Sequence, residues 1–216
     1  ETSFVISKNN LLYGLCEIKN RDYLFSLNLN KSKQEICKIK KFDDFVGNLS
    51  SNISANLFSW IEWNNDSMPW ESNELFFATI DNDGKIQKIK KFSNKSINEG
   101  KNVSFFQPYW ISDNLLVCSE DSTGWWNLLF LDVTNIENII LKKRIIKPLF
   151  EYGSPQWVSG ISFFSGNIKN LFCVAKKENS WVLELYQNCE CIKELKLPFC
   201  SVGDLDIFDR KVVIRG

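Results

Sequence analysis

The chain has 216 residues and not one of them is histidine. Catalysis that depends on an imidazole, Ser-His-Asp or Cys-His, is therefore excluded within these residues. The glycine signatures of other enzymes are missing as well. No Gly-x-Ser-x-Gly elbow, no Gly-x-Gly-x-x-Gly fingerprint and no phosphate loop occurs. Net charge is also lacking: 26 basic side chains balance 26 acidic ones. That balance argues against nucleic acid or a membrane as the main partner. No apolar run approaches the ~20 residues of a membrane helix. Glycine, at 10, and proline, at 5, are too few for a collagen-like or disordered chain. The first residue is Glu1 rather than Met, which leaves a removed signal peptide open.

Aromatics are abundant, at 14% with eight tryptophans, and point to sheets packed face to face. The seven cysteines, Cys16, Cys37, Cys118, Cys173, Cys189, Cys191 and Cys200, are odd in number and scattered through apolar runs. They read as reduced, buried thiols of a cytoplasmic protein. Cys189-x-Cys191 lacks a second close pair or a histidine, so neither metal nor other cofactor is expected.

One stretch organises the rest, Phe105 to Asp132. Its apolar runs Leu115 to Cys118 and Trp126 to Leu131 flank the polar turn Glu120-Asp121-Ser122-Thr123-Gly124, a hairpin signal. Gln107-Pro108-Tyr109-Trp110-Ile111 reads as a strand before it, with proline near its start. The pattern returns along the chain. Asn10-Leu11-Leu12, Asn56-Leu57-Phe58, Asn114-Leu115-Leu116 and Asn170-Leu171-Phe172 mark four copies, and Pro108-x-Trp110-x-Ser112 is echoed by Pro155-x-Trp157-x-Ser159. In each copy a second apolar strand follows the turn (Tyr23 to Leu29, Glu74 to Ile80, Trp126 to Val133, Trp181 to Tyr186). A lysine-rich strand suited to an outer edge comes next: Ile36 to Phe42, Ile86 to Phe92, Ile140 to Ile146, Ile192 to Phe199. Four-stranded units repeating every roughly 40 to 50 residues predict an all-β fold, a β-propeller. The antiparallel blades are expected at residues 3–46, 47–100, 101–150 and 151–200, with 201–216 starting another. Because a propeller hides its sheet edges by closing, four blades and part of a fifth are expected to be a fragment of a larger ring. A helical reading of Asn135 to Lys147 competes with strand, which its β-branched content favours at least equally.

Candidate chemistry is sparse. Asp81-Asn82-Asp83-Gly84 looks like half a calcium loop, but Lys90 stands where the bidentate Glu belongs, so a hairpin turn is expected. Glu62, Asp66, Glu120 and Asp121 are turn carboxylates; paired carboxylates hydrolyse glycosides, though solvated turns are the commoner role. Trp63, Trp70, Trp125 and Trp126 have the character of a stacking surface or of blade packing.

Four motifs together resemble the propeller of the prolyl oligopeptidase family, in its acylaminoacyl-peptidase and dipeptidyl-aminopeptidase-like branch. They are Trp60-Ile61-Glu62-Trp63 with Met68-Pro69-Trp70-Glu71, Ser104-Phe105-Phe106-Gln107-Pro108-x-Trp110-x-Ser112, Ser122-Thr123-Gly124-Trp125-Trp126-Asn127-Leu128, and Glu151-Tyr152-Gly153-x-Pro155-Gln156-Trp157-Val158-x-Gly160. Asp66-Ser67 replaces the family's His-Pro, and Ser112-Asp113-Asn114 its Ser-Pro-Asp-Gly turn. The resemblance implies a serine exopeptidase whose catalytic Ser, Asp and His lie on a C-terminal α/β-hydrolase domain outside this chain. It implies a propeller that gates the active site and selects short peptides. Partners are then that hydrolase domain and the peptides, with homo-oligomerisation open. The turns around Asn64 to Trp70 and Ser119 to Trp125 share one face, which, or whose opposite, is expected to dock the hydrolase domain. Trp70, Trp125 and Trp126 are the candidate substrate or domain contacts. The alternatives are a WD-repeat-like interaction scaffold and a propeller glycosidase.

Overall fold

The structure, a computed structural model, describes residues 4–7, 9–33, 35–93, 95, 97, 102–157, 160–209 and 211–216. All of its regular elements are strands, apart from a single 3-10 position at Lys95. The first sheet holds β1 (Phe4–Ile6), β2 (Leu11–Glu17), β3 (Asp22–Asn28) and β4 (Ile36–Lys41) in sequence order. The second holds β5 (Phe45–Ser51), β6 (Leu57–Trp63), β7 (Glu74–Ile80) and β8 (Ile86–Lys91). The third holds β9 (Phe105–Trp110), β10 (Leu115–Glu120), β11 (Asn127–Asp132) and β12 (Ile140–Ile145). The fourth comprises β13 (Phe150–Glu151), β14 (Phe164–Asn167), β15 (Asn170–Lys177), β16 (Ser180–Gln187) and β17 (Glu190–Leu197). A two-stranded sheet, β18 (Asp204–Phe208) with β19 (Lys211–Arg215), comes last. Every pairing within a sheet is antiparallel. This is the blade pattern of a propeller. The segment with the competing helical reading resolves as strand β12.

Meandering blades place their first strands innermost. Accordingly β1 touches β5, β5 touches β9 and β14 touches β18, and Ser162 forms a parallel bridge to Asp204. Alternating strand direction then puts the turns between second and third strands at the same end as the connections between blades. That end is called the loop face below. The boundary drawn at residues 100 and 101, with Val158 and Ser159 of the repeated motif, lies outside the described residues.

The core lies between sheets. Tyr13, Leu24, Phe58 and Trp60 fill the space between the first and second. Ile61, Leu75 and Phe77 pack against Trp110, Leu116 and Leu129 between the second and third. A larger cluster joins the third, fourth and fifth through Phe130, Tyr152, Phe164, Tyr186 and Leu205. Middle strands are buried on both faces, so Leu115–Glu120 is buried throughout, with an unbroken apolar run from Leu115 to Cys118 instead of an alternation. Outer strands show the reverse, as Ile86–Lys91 is largely exposed. The thiols follow this geometry. Cys118, Cys173 and Cys189 are buried, but Cys37, Cys191 and Cys200 are exposed. The expectation of buried cysteines thus fails for those three, because Cys37 and Cys191 sit on the outer strands β4 and β17 and Cys200 lies beyond β17.

The fourth sheet departs from the simple repeat. Its innermost strand is broken into β13, paired with Lys176 and Lys177, and β14, paired from Asn170 to Cys173. Residues 152–157 and 160–163 belong to an excursion between the two halves at the loop face. Gly153 lets this backbone pass close to the third sheet, because a Cβ there would lie 3.1 Å from Phe106 and from Trp126. The echo of the third sheet's motif therefore changes role. Pro108 and Trp110 lie in an inner strand, whereas Pro155 and Trp157 lie in the excursion.

Candidate functional site

Two polar side chains, Asn73 and Gln156, gather the loop face around one backbone residue, Phe105, at the start of β9. Asn73, buried at the end of the long 64–73 turn, accepts from the Phe105 N–H at 2.8 Å. Its amide donates to the Phe105 carbonyl at 2.9 Å and to the Pro69 carbonyl at 2.7 Å. The turn of the second sheet is thereby clamped onto the third. Gln156, from the excursion of the fourth, donates to the same Phe105 carbonyl at 3.2 Å. Its Oε1 accepts from Asn48 Nδ2 at 2.7 Å. Asn48 is in the inner strand β5, in the left-handed region with φ 55°, where the register slips between Gly47 and Ser50. Asparagine tolerates that conformation, and the bulge re-aims its side chain. Gln107, with φ 50°, stands at the matching irregularity of β9. It accepts from the Phe163 N–H at 2.7 Å and donates to the Phe164 carbonyl at 2.8 Å.

Beside this hub, Trp157 packs on Trp70 with ring centroids 4.1 Å apart. Trp157 is 71% exposed, and Met68 on the same turn as Trp70 is 54% exposed. Behind the excursion lies a cleft of about 540 Å³. Pro155, Trp126, Phe163, Trp181, Glu151 and Arg215 line it, so its wall is aromatic with charges at the margin. Its volume is in the range of small-molecule sites, about 300–1,000 Å³.

Of the three tryptophans singled out by sequence, Trp70 faces Trp157 at the hub. Trp126 is buried, edge-on to Phe106 at 6.0 Å, and reaches the cleft. Trp125 is half-buried in its turn, where its carbonyl accepts from Asn127 Nδ2 at 2.8 Å. Trp63 stacks elsewhere, on Phe45. The four do not form one surface. Nor do the turn carboxylates: Glu62 accepts from Trp60 Nε1 at 2.6 Å, and fully buried Glu120 is held by Arg144 at 2.8 Å. Asn48, Asn73, Gln107 and Gln156 were not singled out by sequence. Most of their partners lie tens of residues away, and only the presence of Gln107 and Gln156 within recognised motifs hinted at them.

Two carboxylates near the cleft titrate abnormally. Burial pushes the Asp121 carboxyl up, and neighbouring Glu120 adds to this, against the Ser104 N–H that Asp121 accepts at 2.7 Å. Burial likewise pushes Glu151 up, against the Trp126 N–H at 2.8 Å. An acid with a raised folded pKa binds its proton more tightly when folded. Its contribution to stability is therefore largest below the unfolded value and declines as pH rises from about 4 through the raised value. Asp121→Asn is expected to flatten this decline in urea titrations run from pH 4 to 7. An unchanged profile would show that Asp121 is not its source.

No family model matches the chain and no curated protein matches it. Solved structures do, puromycin hydrolases and a prolyl oligopeptidase among them, and what this chain shares with them is the fold. Puromycin hydrolase complexed with PGG overlays with a TM-score of 0.79 at 20% identity, covering 98% of this chain and 33% of that one. A Mycobacterium tuberculosis puromycin-hydrolyzing peptidase gives 0.71 at 17%, covering 94% and 32%. Prolyl oligopeptidase B from Galerina marginata, bound to a 35mer hydrolysis and macrocyclization substrate, gives 0.65 at 12%, covering 97% and 29%. This chain spans about a third of the length of these proteins.

Proposed function

We propose that the chain is the non-catalytic propeller of a serine exopeptidase of the prolyl oligopeptidase family, in its acylaminoacyl-peptidase-like branch. In this reading it gates and selects short peptides for an α/β-hydrolase domain of the same polypeptide, in the cytoplasm. The supporting observation is that nearly the whole chain overlays on a third of puromycin hydrolase, over the region where four sequence motifs resemble that family. The physical logic is steric. A rigid ring of blades with a narrow mouth admits an extended oligopeptide and turns away a folded domain. The loop face supplies apolar rings, Trp70, Trp157 and Trp126, for peptide or domain to pack on.

The test is made on the complete gene product. It is expected to label with a fluorophosphonate, a serine-directed probe, and to cleave short peptides near their N-termini while sparing long ones. Trp70→Ala, Trp125→Ala and Trp126→Ala are expected to shift that length preference. A product with no reactive serine would overturn the reading in favour of an interaction scaffold.

A further inference from the structure

We infer that residues 152–157 form a strap, latched by Gln156, that sets the longest peptide the loop face admits. This rests on the peptide-selecting reading above and assigns the selection to particular residues. The strap interrupts the innermost strand of the fourth sheet at the loop face, where the connections between blades also lie. From there it makes contacts two sheets away. Gln156 Oε1 holds Asn48 of the second sheet's inner strand at 2.7 Å, and Gln156 Nε2 holds the Phe105 carbonyl of the third at 3.2 Å. Trp157 closes on Trp70 of the second. The strap's roots are fixed differently: the Tyr152 N–H donates to the Trp126 carbonyl at 2.9 Å, and the Tyr152 hydroxyl to buried Glu184 at 2.6 Å.

The root is thus built into the core, while among the described residues the tip rests on two hydrogen bonds and on the contact of exposed Trp157 with half-buried Trp70. Contacts of that kind open locally at small cost compared with the sheets beneath. Gly153, Ser154 and Pro155 also form one wall of the 540 Å³ cleft. Lifting the tip therefore does two things at once. It widens the passage between the second and fourth sheets, and it joins the aromatic cleft to the mouth. A short peptide fits the closed mouth; a longer one needs the strap lifted. The latch energy then becomes a length-dependent penalty, with Gln156 and Asn48 acting as positioning residues.

The test uses the complete gene product with its reactive serine blocked by fluorophosphonate, its Gln156→Ala variant and, as the same latch cut from the other side, Asn48→Gly, which is compatible with the positive φ. Hydrogen exchange is read at residues 153, 154, 156 and 157, and binding is measured with fluorescein-labelled apolar peptides of graded length. Both variants are expected to exchange about five- to tenfold faster in the strap, with Leu116 and Leu129 unchanged. Both are expected to bind the longer peptides more tightly while the shortest bind as before. Unchanged strap exchange overturns the latch whatever the binding shows. Faster exchange with an unaltered length limit overturns the strap's selective role and leaves peptide selection standing. If the parent chain itself binds no peptide of any length, the peptide reading fails, and the strap's role with it.

Discussion

Replacing Trp60 by Ala lowers unfolding stability by about 3–5 kcal/mol, the cost of emptying a large aromatic site in a core that only partly collapses. Trp60 is completely buried in β6, at the contact between the first and second sheets. Its ring meets Phe42 edge-on at 5.9 Å and lies parallel to Phe76 at 6.2 Å, 4° off coplanar. Both geometries add to the area term. The indole N–H bond to Glu62 is a smaller part of the loss, since Glu62 is a quarter exposed and water replaces the donor. Blades touch mainly their neighbours, so the damage is expected to be local first. Amides of β1 to β4 should lose protection before those of β9 to β12. Urea denaturation measures the total, and Trp60→Phe should cost less because it keeps the stack on Phe76. A loss below about 1 kcal/mol would mean that the sheets close over the gap, contrary to the stiff packing seen here.

How much of this was legible in the chain depends on the range of the interaction that decides it. The blades were legible because each is local. Glu74–Ile80 was read at its full extent, and the outer strands were marked by their lysines, since solvated edges need charge. The split of the fourth inner strand was not legible. Pro155 and Trp157 repeat the spacing of Pro108 and Trp110, and only the register of β13 and β14 on β15 shows that one copy has left the sheet. The hub at Phe105 was hidden for a related reason. Asparagine and glutamine are common in turns, and nothing local distinguishes Asn48 or Gln156 from the rest. Their importance comes from partners across the mouth, 108 residues apart in sequence. Trp70 was noticed as an aromatic in a turn, but its partner Trp157 was read as part of a repeat. The tryptophans Trp125 and Trp126 are adjacent in sequence yet differ in burial, because β11 begins at Asn127 and the turn before it points them apart.

Lys147→Met is expected to cost about 3 kcal/mol or more, although Lys147 is not itself a core residue. The connection from the third to the fourth sheet carries its ammonium over the rings of Phe150 at 4.9 Å and of Tyr152 and Tyr186 at 5.9 Å each. There it pairs with Glu184, whose side chain is wholly buried in β16. The carboxylate also accepts from the Tyr152 hydroxyl at 2.6 Å and the Tyr186 hydroxyl at 2.8 Å. Burial first, and the adjoining charge and phenol next, push both tyrosines well above their ordinary value, so they remain protonated donors. Methionine preserves the aliphatic stem and removes the charge, leaving Glu184 with two neutral donors and no cation. An uncompensated buried charge is what makes such a change severe; the net value of the intact pair is a separate and smaller quantity. The two are separated by adding Glu184→Gln. If the cost lies in the stranded charge, the double variant recovers a large part of the stability lost in Lys147→Met, and the coupling exceeds about 1 kcal/mol in a double-mutant cycle. Equal stability of single and double variants would place the cost in lost packing over the rings instead. Because Tyr152 roots the strap, the single variant is also expected to speed exchange at residues 153, 154, 156 and 157.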